Sequence, residues 1–167
     1  VHPLETERLT LRRLQSDDAP FIVELLNSPT WLEFIGDRGI RTTDDAQGYI
    51  ERAHVNYALH GFSLYLVALR DGTRVGLCGP IRREGLNDVD LGFALLPTFA
   101  GRGYALEAAR RVVEHARVDL KLGRVAGITV PENARSIRLL EALGMRREGS
   151  VRLSPDDVEL NYYAMAL

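Results

Sequence analysis

Two glycines, Gly101 and Gly103, stand between a strand-like run and a helix-like one, with Arg102 between them and Tyr104, Ala105 and Leu106 behind. Glycine lets a backbone turn tightly and approach a ligand with no Cβ in the way. A helix start presents unpaired N–H groups and a partial positive charge. Together these make a pocket for a diphosphate, and Arg102 adds charge-assisted bonds to phosphate oxygens. The plain alternative is a tight strand–helix turn that binds nothing. Other phosphate motifs fit worse. The Walker pattern needs Gly-Lys followed by Ser or Thr, and no such triplet occurs. The dinucleotide fingerprint needs three spaced glycines after an early strand, and here two occur deep in the chain.

Few other residues read as reactive. Cys78 is the single cysteine, so neither an internal disulfide nor a cysteine metal cluster is expected. Its neighbours, Val75-Gly-Leu-Cys-Gly, read as a buried strand with Cys78 as a small apolar filler, a nucleophile being the other reading. His2, His54, His60 and His115 are scattered, and His115 sits among charged residues where exposure is expected. No metal site is expected.

The elements that position the glycine turn follow from periodicity. Leu9-Thr-Leu-Arg-Arg-Leu reads as a first strand, and Ser16, Asp17 and Asp18 open a helix that stops before Pro29. Residues 30–42 read as an irregular, aromatic-rich loop. Thr43 and Asp44 cap a second helix ending near His60-Gly61. Two strand-like runs joined by Asp71-Gly72 make a hairpin. A strand over 89–96, the glycine turn, a long helix to Gly123, a strand from Arg124 cut by Pro131, a helix from Asn133 to Gly144, and two last strands complete the order. That order predicts an α/β (α+β) fold: a mixed, mostly antiparallel sheet of about seven strands flanked by about four helices.

Composition sets the frame. The chain has 167 residues, 46% apolar and 26% charged, with a formal net charge of -2. One domain over 1–167 is expected, with no repeat or linker and no nucleic-acid footprint at the level of the whole chain. No run approaches the roughly 20 apolar residues of a membrane span. The first residues are polar rather than signal-like, so the cytoplasm is the expected location.

Leu91-Gly-Phe-Ala-Leu-Leu-Pro-Thr-Phe-Ala-Gly-Arg-Gly-Tyr-Ala-Leu-Glu-Ala resembles the acetyl-CoA-binding motif of Gcn5-related acetyltransferases. Asn133-Ala-Arg-Ser-Ile-Arg-Leu-Leu-Glu-Ala-Leu-Gly-Met resembles that family's following helix. The opening Glu5-Thr-Glu-Arg-Leu-Thr-Leu-Arg-Arg-Leu resembles the branch that acetylates ribosomal-protein N-termini. The resemblance implies an N-acetyltransferase fold and activity, acetyl-CoA as co-substrate and an amine acceptor. It further implies that amides of Gly101 through Leu106 face the diphosphate and that backbone groups of Phe93, Ala94 and Leu95 pair with the pantetheine arm. Asn133 matches the position that bonds the pantetheine, and equally reads as a helix N-cap. Ala100 departs from the family's polar first anchor. Pairing of two copies through edge strands is a further expectation.

Acetyl transfer needs a neutral amine, a donor for the tetrahedral oxyanion and a departing thiolate. A backbone N–H near Leu95 is the expected oxyanion donor. The family's tyrosine acid falls on Leu140, which has no proton to give, and Ser136 resembles the ribosomal-branch replacement. Asp90 is the candidate base, with Glu148, Glu33 and Glu7 as alternatives. Trp31 and Phe34, with Tyr49 and Phe62, are candidate walls for the acceptor, and the acid-rich stretch from Glu33 to Asp45 is a candidate attractor for a cationic amine. A non-catalytic acyl-CoA-binding module, or a transferase for another acyl group, is the alternative.

Overall fold

The structure, a computed structural model, describes residues 2–167. Eight strands form one sheet: β1 (Leu4–Glu5), β2 (Leu9–Arg13), β3 (Tyr65–Leu69), β4 (Arg74–Ile81), β5 (Asp90–Leu95), β6 (Arg124–Thr129), β7 (Arg146–Val151) and β8 (Leu160–Ala166). Their spatial order is β1-β2-β3-β4-β5-β6-β8-β7. Every neighbouring pair is antiparallel except β5–β6, which is parallel. Five helices accompany the sheet: α1 (Ala19–Leu26), α2 (Pro29–Phe34), α3 (Thr43–His60), α4 (Tyr104–Val118) and α5 (Ala134–Leu143). The mixed, mostly antiparallel architecture is the expected one. No helix among the described residues is long and apolar enough to cross a membrane.

Leu9 and Leu11 alternate into the core from β2, Leu66 and Val67 line it from β3, and Val75 and Leu77 from β4. α4 buries Ala108, Ala109, Val112 and Ala116 on one stripe and packs across β4, β5 and β2. α3 starts on Thr42, whose side chain accepts from the Asp45 amide, and stops at Gly61 in the left-handed region. The cap is therefore one residue earlier than Thr43.

Two elements depart from the sequence reading. Pro29 ends α1 and also starts α2, since its missing N–H is harmless in a first helical turn. The segment read as irregular thus begins with a helix. β1 is a two-residue strand pairing Leu4 with Leu11, too short to show alternation. His115 is a third correction: its side chain is 13% exposed, with Nε2 at 3.1 Å from the Tyr65 hydroxyl and Nδ1 at 2.6 Å from Asp119.

Asp18 ties α1 to the sheet. It is 0% exposed and accepts from Arg12 at 2.8 and 2.9 Å, from Arg74 at 2.7 Å and from the Gln15 amide at 2.7 Å. Burial pushes its pKa up, but those donors together outweigh burial and hold it below the ordinary value. A carboxyl with a depressed folded pKa stabilises above its unfolded pKa, and that contribution is lost as pH falls through the folded value. Asp18→Asn should therefore cost about 2 kcal/mol at pH 7, a modest figure because both arginines are partly exposed. The difference should shrink in acid, once pH falls below the ordinary carboxylate value of about 3.9 and on through the lower folded value. Urea unfolding at both pH values checks this, and superimposable curves at pH 7 would show that Asp18 is no anchor.

Candidate active site

Along β5 the hydrogen-bonding direction alternates by residue. The Leu96 amide donates to the Val75 carbonyl at 2.9 Å, whereas the Val89 carbonyl accepts from the Ala126 amide of β6 at 2.8 Å. Odd-numbered residues of β5 thus turn their backbone groups toward β6 and even-numbered ones toward β4. β6 meets β5 at one register pair, Asp90↔Ala126, and then diverges. Phe93 and Leu95 are left with backbone groups facing open space within the sheet. Ala94 lines that space, but its amide and carbonyl face β4, so of the three residues expected to pair like a strand only Phe93 and Leu95 turn backbone groups to the gap.

The open edge runs into the glycine turn. Gly101 and Gly103 have φ of 80° and 82°, a conformation that other residues rarely adopt. Gly103 caps α4. Among the described residues, the amides from Gly101 through Leu106 meet no protein acceptor, and Glu107 is the first to bond back, to the Gly103 carbonyl at 3.1 Å. Unmet amides at a helix start form an anion cradle. The turn is held from outside. Arg8 pairs with Glu107 at 2.7 Å, donates to the Arg102 carbonyl at 3.0 Å and lies 4.5 Å from the centre of the Tyr104 ring. Sequence reasoning missed this brace. Its only signal was an acidic residue, Glu107, in the first turn of α4.

Open edge and turn are the walls of one cleft of about 1360 Å³. Its lining gathers Asp90, Phe93, Ala94, Leu95, Gly101, Gly103, Tyr104, Ala105 and Leu106 from β5 and α4, Asn133 and Ser136 from α5, and Trp31, Phe34 and Tyr49 from α2 and α3. Other expected residues lie elsewhere. Arg102 is outside the cleft lining, with its guanidinium 5.9 Å from the centre of the Phe99 ring. Phe62 is buried beside His60. Glu7 and Glu33 are exposed and off the cleft, and Glu148 pairs with Arg124.

Of the candidate bases, Asp90 is the carboxylate that the fold brings in; Glu132, beside Asn133, also lines the cleft. Asp90 is 1% exposed, its Oδ2 accepts from Arg83 Nε at 2.6 Å, and its Oδ1 has no partner. Burial raises its pKa above the ordinary value, against the pull of Arg83. Asn133 is an N-cap, its Oδ1 accepting from the Ser136 amide at 3.2 Å. Leu140 is 0% exposed and off the cleft, packed on β6. A Cβ at Gly127 would stand 2.4 Å from Leu140 Cδ2, so glycine there is what lets α5 sit down on β6. Cys78 is buried, and burial pushes its thiol pKa up, which removes it as a nucleophile. Arg38, Arg52 and Arg83 also line the cleft, and nothing in their sequence spacing marked them.

Residues 8–146 match the Acetyltransferase (GNAT) domain family. The uncharacterized N-acetyltransferase YnaD of Bacillus subtilis (strain 168) is 27% identical over 147 residues, which is 87% of this chain and 84% of that one. Among solved structures, an acetyltransferase from Agrobacterium tumefaciens str. C58 has a TM-score of 0.82 at 28% identity, covering 99% of this chain and 94% of that one. RimL, a ribosomal L7/L12 alpha-N-protein acetyltransferase in complex with coenzyme A, has a TM-score of 0.85 over 99% of this chain and 98% of that one. At 16% identity that likeness speaks for the fold alone. A domain match across most of the chain, on a sheet shared with solved acetyltransferases, makes this protein a member of the GNAT acetyltransferase family.

Proposed function

We propose that this protein transfers an acetyl group from acetyl-CoA to a primary amine, a protein N-terminus or a small amine, by direct attack in a ternary complex. One observation carries the reading. Unpaired backbone groups of Phe93 and Leu95 continue into the unmet amides of Gly101 through Leu106, a track of donors that suits an extended arm ending in a diphosphate. Acetyl-CoA supplies a thioester carbonyl and a thiol leaving group. In this reading Leu95 and Asn133 hold the pantetheine arm, both lining the cleft.

Asp90 opens β5 and Leu95 closes it. At about 3.3 Å per residue their Cα atoms lie about 16 Å apart, too far for both to serve one reacting carbon. Phe93 lies about 10 Å from Asp90 and turns its amide to the open side. The oxyanion donor is therefore assigned to Phe93 rather than to Leu95. Asp90 takes the amine proton on its unpartnered Oδ1, which is closed to solvent in this structure and is reached when the side chain turns toward the cleft. Its raised pKa makes it a stronger base than an ordinary carboxylate. Ser136 faces the cleft and can hydrogen-bond the leaving thiolate, relaying to it a proton taken up from water. The buried Cys78 leaves no route through an acyl-cysteine.

Calorimetry with acetyl-CoA tests the track. Saturable binding is expected, weakened about a hundredfold or more by Gly103→Asp, which forces a side chain into the left-handed region with its Cβ 3.3 Å from Arg8 Nη2 and so disturbs the turn and its brace. No binding to the parent protein would sink the proposal.

Asp90→Asn tests the base. Its kcat should fall about 10²- to 10⁴-fold with acetyl-CoA affinity kept. The rising limb of kcat/KM with pH, placed above the ordinary carboxylate value of about 3.9, should vanish. The folded pKa exceeds the unfolded one, so ionised Asp90 subtracts stability at neutral pH, and that cost fades as pH falls through the folded value and is gone below the unfolded one. The melting temperature of Asp90→Asn at pH 7 should therefore hold or rise. Tight acetyl-CoA binding with no thiol release from any amine would instead mark a non-catalytic acyl-CoA module.

Ser136→Ala should lower kcat without changing acetyl-CoA affinity. An unchanged kcat would mean that the thiolate departs unprotonated, as a thiol pKa of about 8.5 permits.

A further inference from the structure

At the Asp90 end of the cleft, opposite the glycine turn, the lining carries positive charge that acetyl transfer alone does not require. Arg38 follows α2, Arg52 is on α3 and Arg83 lies between β4 and β5. Arg83 is held by Asp90, whereas neither Arg38 nor Arg52 has a carboxylate within ion-pairing distance among the described residues. The three charges converge on Tyr49: the Arg52 guanidinium lies 5.9 Å from its ring centre, and all three act on its hydroxyl. Burial keeps that hydroxyl protonated, so it serves as a neutral donor.

The acids nearby do not answer this charge. Asp37 pairs with Arg41, and Asp45 accepts from the Thr42 amide at the start of α3. The acid-rich stretch from Glu33 to Asp45 therefore does not line the cleft with negative charge, and its expected pull on a cationic amine is corrected here. A second observation points the same way. Among the described residues, three buried side-chain polar atoms lack a partner, and two of them belong to cleft residues: Asp90 Oδ1 and Trp31 Nε1. Trp31 is 6% exposed, so its N–H is a buried donor without an acceptor. This end of the cleft thus holds the Asp90 carboxylate beside three guanidinium groups and the Tyr49 phenol, while Glu132, the other carboxylate of the lining, lies next to Asn133. That pattern is the electrostatic complement of an amine lying beside a carboxylate.

We propose, resting on the transferase reading above, that the acceptor is a primary amine bearing a carboxylate, seated by Arg38 and Arg52 while its amine lies toward Asp90. The carboxylate belongs either to a free amino acid or to an acidic side chain next to a peptide N-terminus. Amines with several positive charges are disfavoured by the same arginines.

Binding, rather than turnover, is the readout that separates this proposal from the transferase reading. The protein loaded with coenzyme A is titrated calorimetrically with matched pairs: alanine against alaninamide, and the peptide Ser-Asp-Ala against Ser-Asn-Ala, both peptides C-terminally amidated. The carboxylate member of one pair should bind about tenfold or more tightly than its partner. The pair that discriminates identifies the source. In Arg38→Gln/Arg52→Gln the preference should fall close to unity with coenzyme A affinity unchanged. Equal affinities in both pairs, tighter binding of spermidine, or a preference that survives the double substitution would overturn the proposal. A carboxylate preference without thiol release from acetyl-CoA would overturn the transferase reading and leave this one standing, and turnover without preference would do the reverse. Should coenzyme A fail to bind, the transferase reading falls, and the same titrations of the free protein decide the preference.

Discussion

The site depends on a break in one strand pair. β5 and β6 share a single register pair and then separate, which leaves two residues of β5 with backbone groups unpaired inside a sheet. Such groups are costly when dry, so a strand edge of this kind must meet water or a ligand. β5 keeps its place because its other edge is fully laddered to β4, and because α4 packs across both strands. On the far side, α5 seats against β6 through Leu140 and the missing Cβ of Gly127. The gap is therefore framed by two well-packed walls rather than by mobile loops. The turn after β5 then aims the start of α4 along the same opening.

Two buried aspartates show how environment sets chemistry. Asp18 and Asp90 are both shut away from water and both touch arginine. Asp18 receives donors on both oxygens from two side chains and a backbone amide, so its pKa falls. Asp90 has one side-chain donor and an idle oxygen, so burial wins and its pKa rises. The first is a structural anchor. The second is a stressed group that a packed apolar residue could replace with no loss of stability, and such groups cluster where chemistry is done.

Periodicity and turn chemistry made much of this legible in the sequence. The hairpin at Asp71-Gly72, the glycine turn, the α4 stripe and the Asn133 cap all rest on local rules, and local rules survive folding. What escaped the sequence is what long-range packing decides. β1 pairs only because β2 is there to receive it. α2 is hidden by a proline that both ends one helix and starts the next. The Arg8–Glu107 brace joins residues about a hundred positions apart, and no spacing rule reaches that far. Arg38, Arg52 and Arg83 come from three separate segments, so their convergence has no trace in the linear pattern. Which backbone groups of β5 face the gap needed the register, since a shift of one residue would have exchanged Ala94 for Phe93 and Leu95.

Leucine at position 140 becomes intelligible once the proton inventory is drawn up. A thiol with a pKa of about 8.5 leaves tolerably as thiolate near neutrality, whereas an amine near 10.4 is almost wholly protonated there. For the proposed transfer, the harder proton problem is thus at the nucleophile. Positive charge from Arg38, Arg52 and Arg83 lowers the pKa of an amine held nearby, while burial raises that of Asp90. The two shifts bring donor and acceptor toward each other, the condition under which a proton moves with least cost. Against that, an acid on α5 is a refinement, and a residue that instead packs α5 onto Gly127 keeps the gap open for everything else.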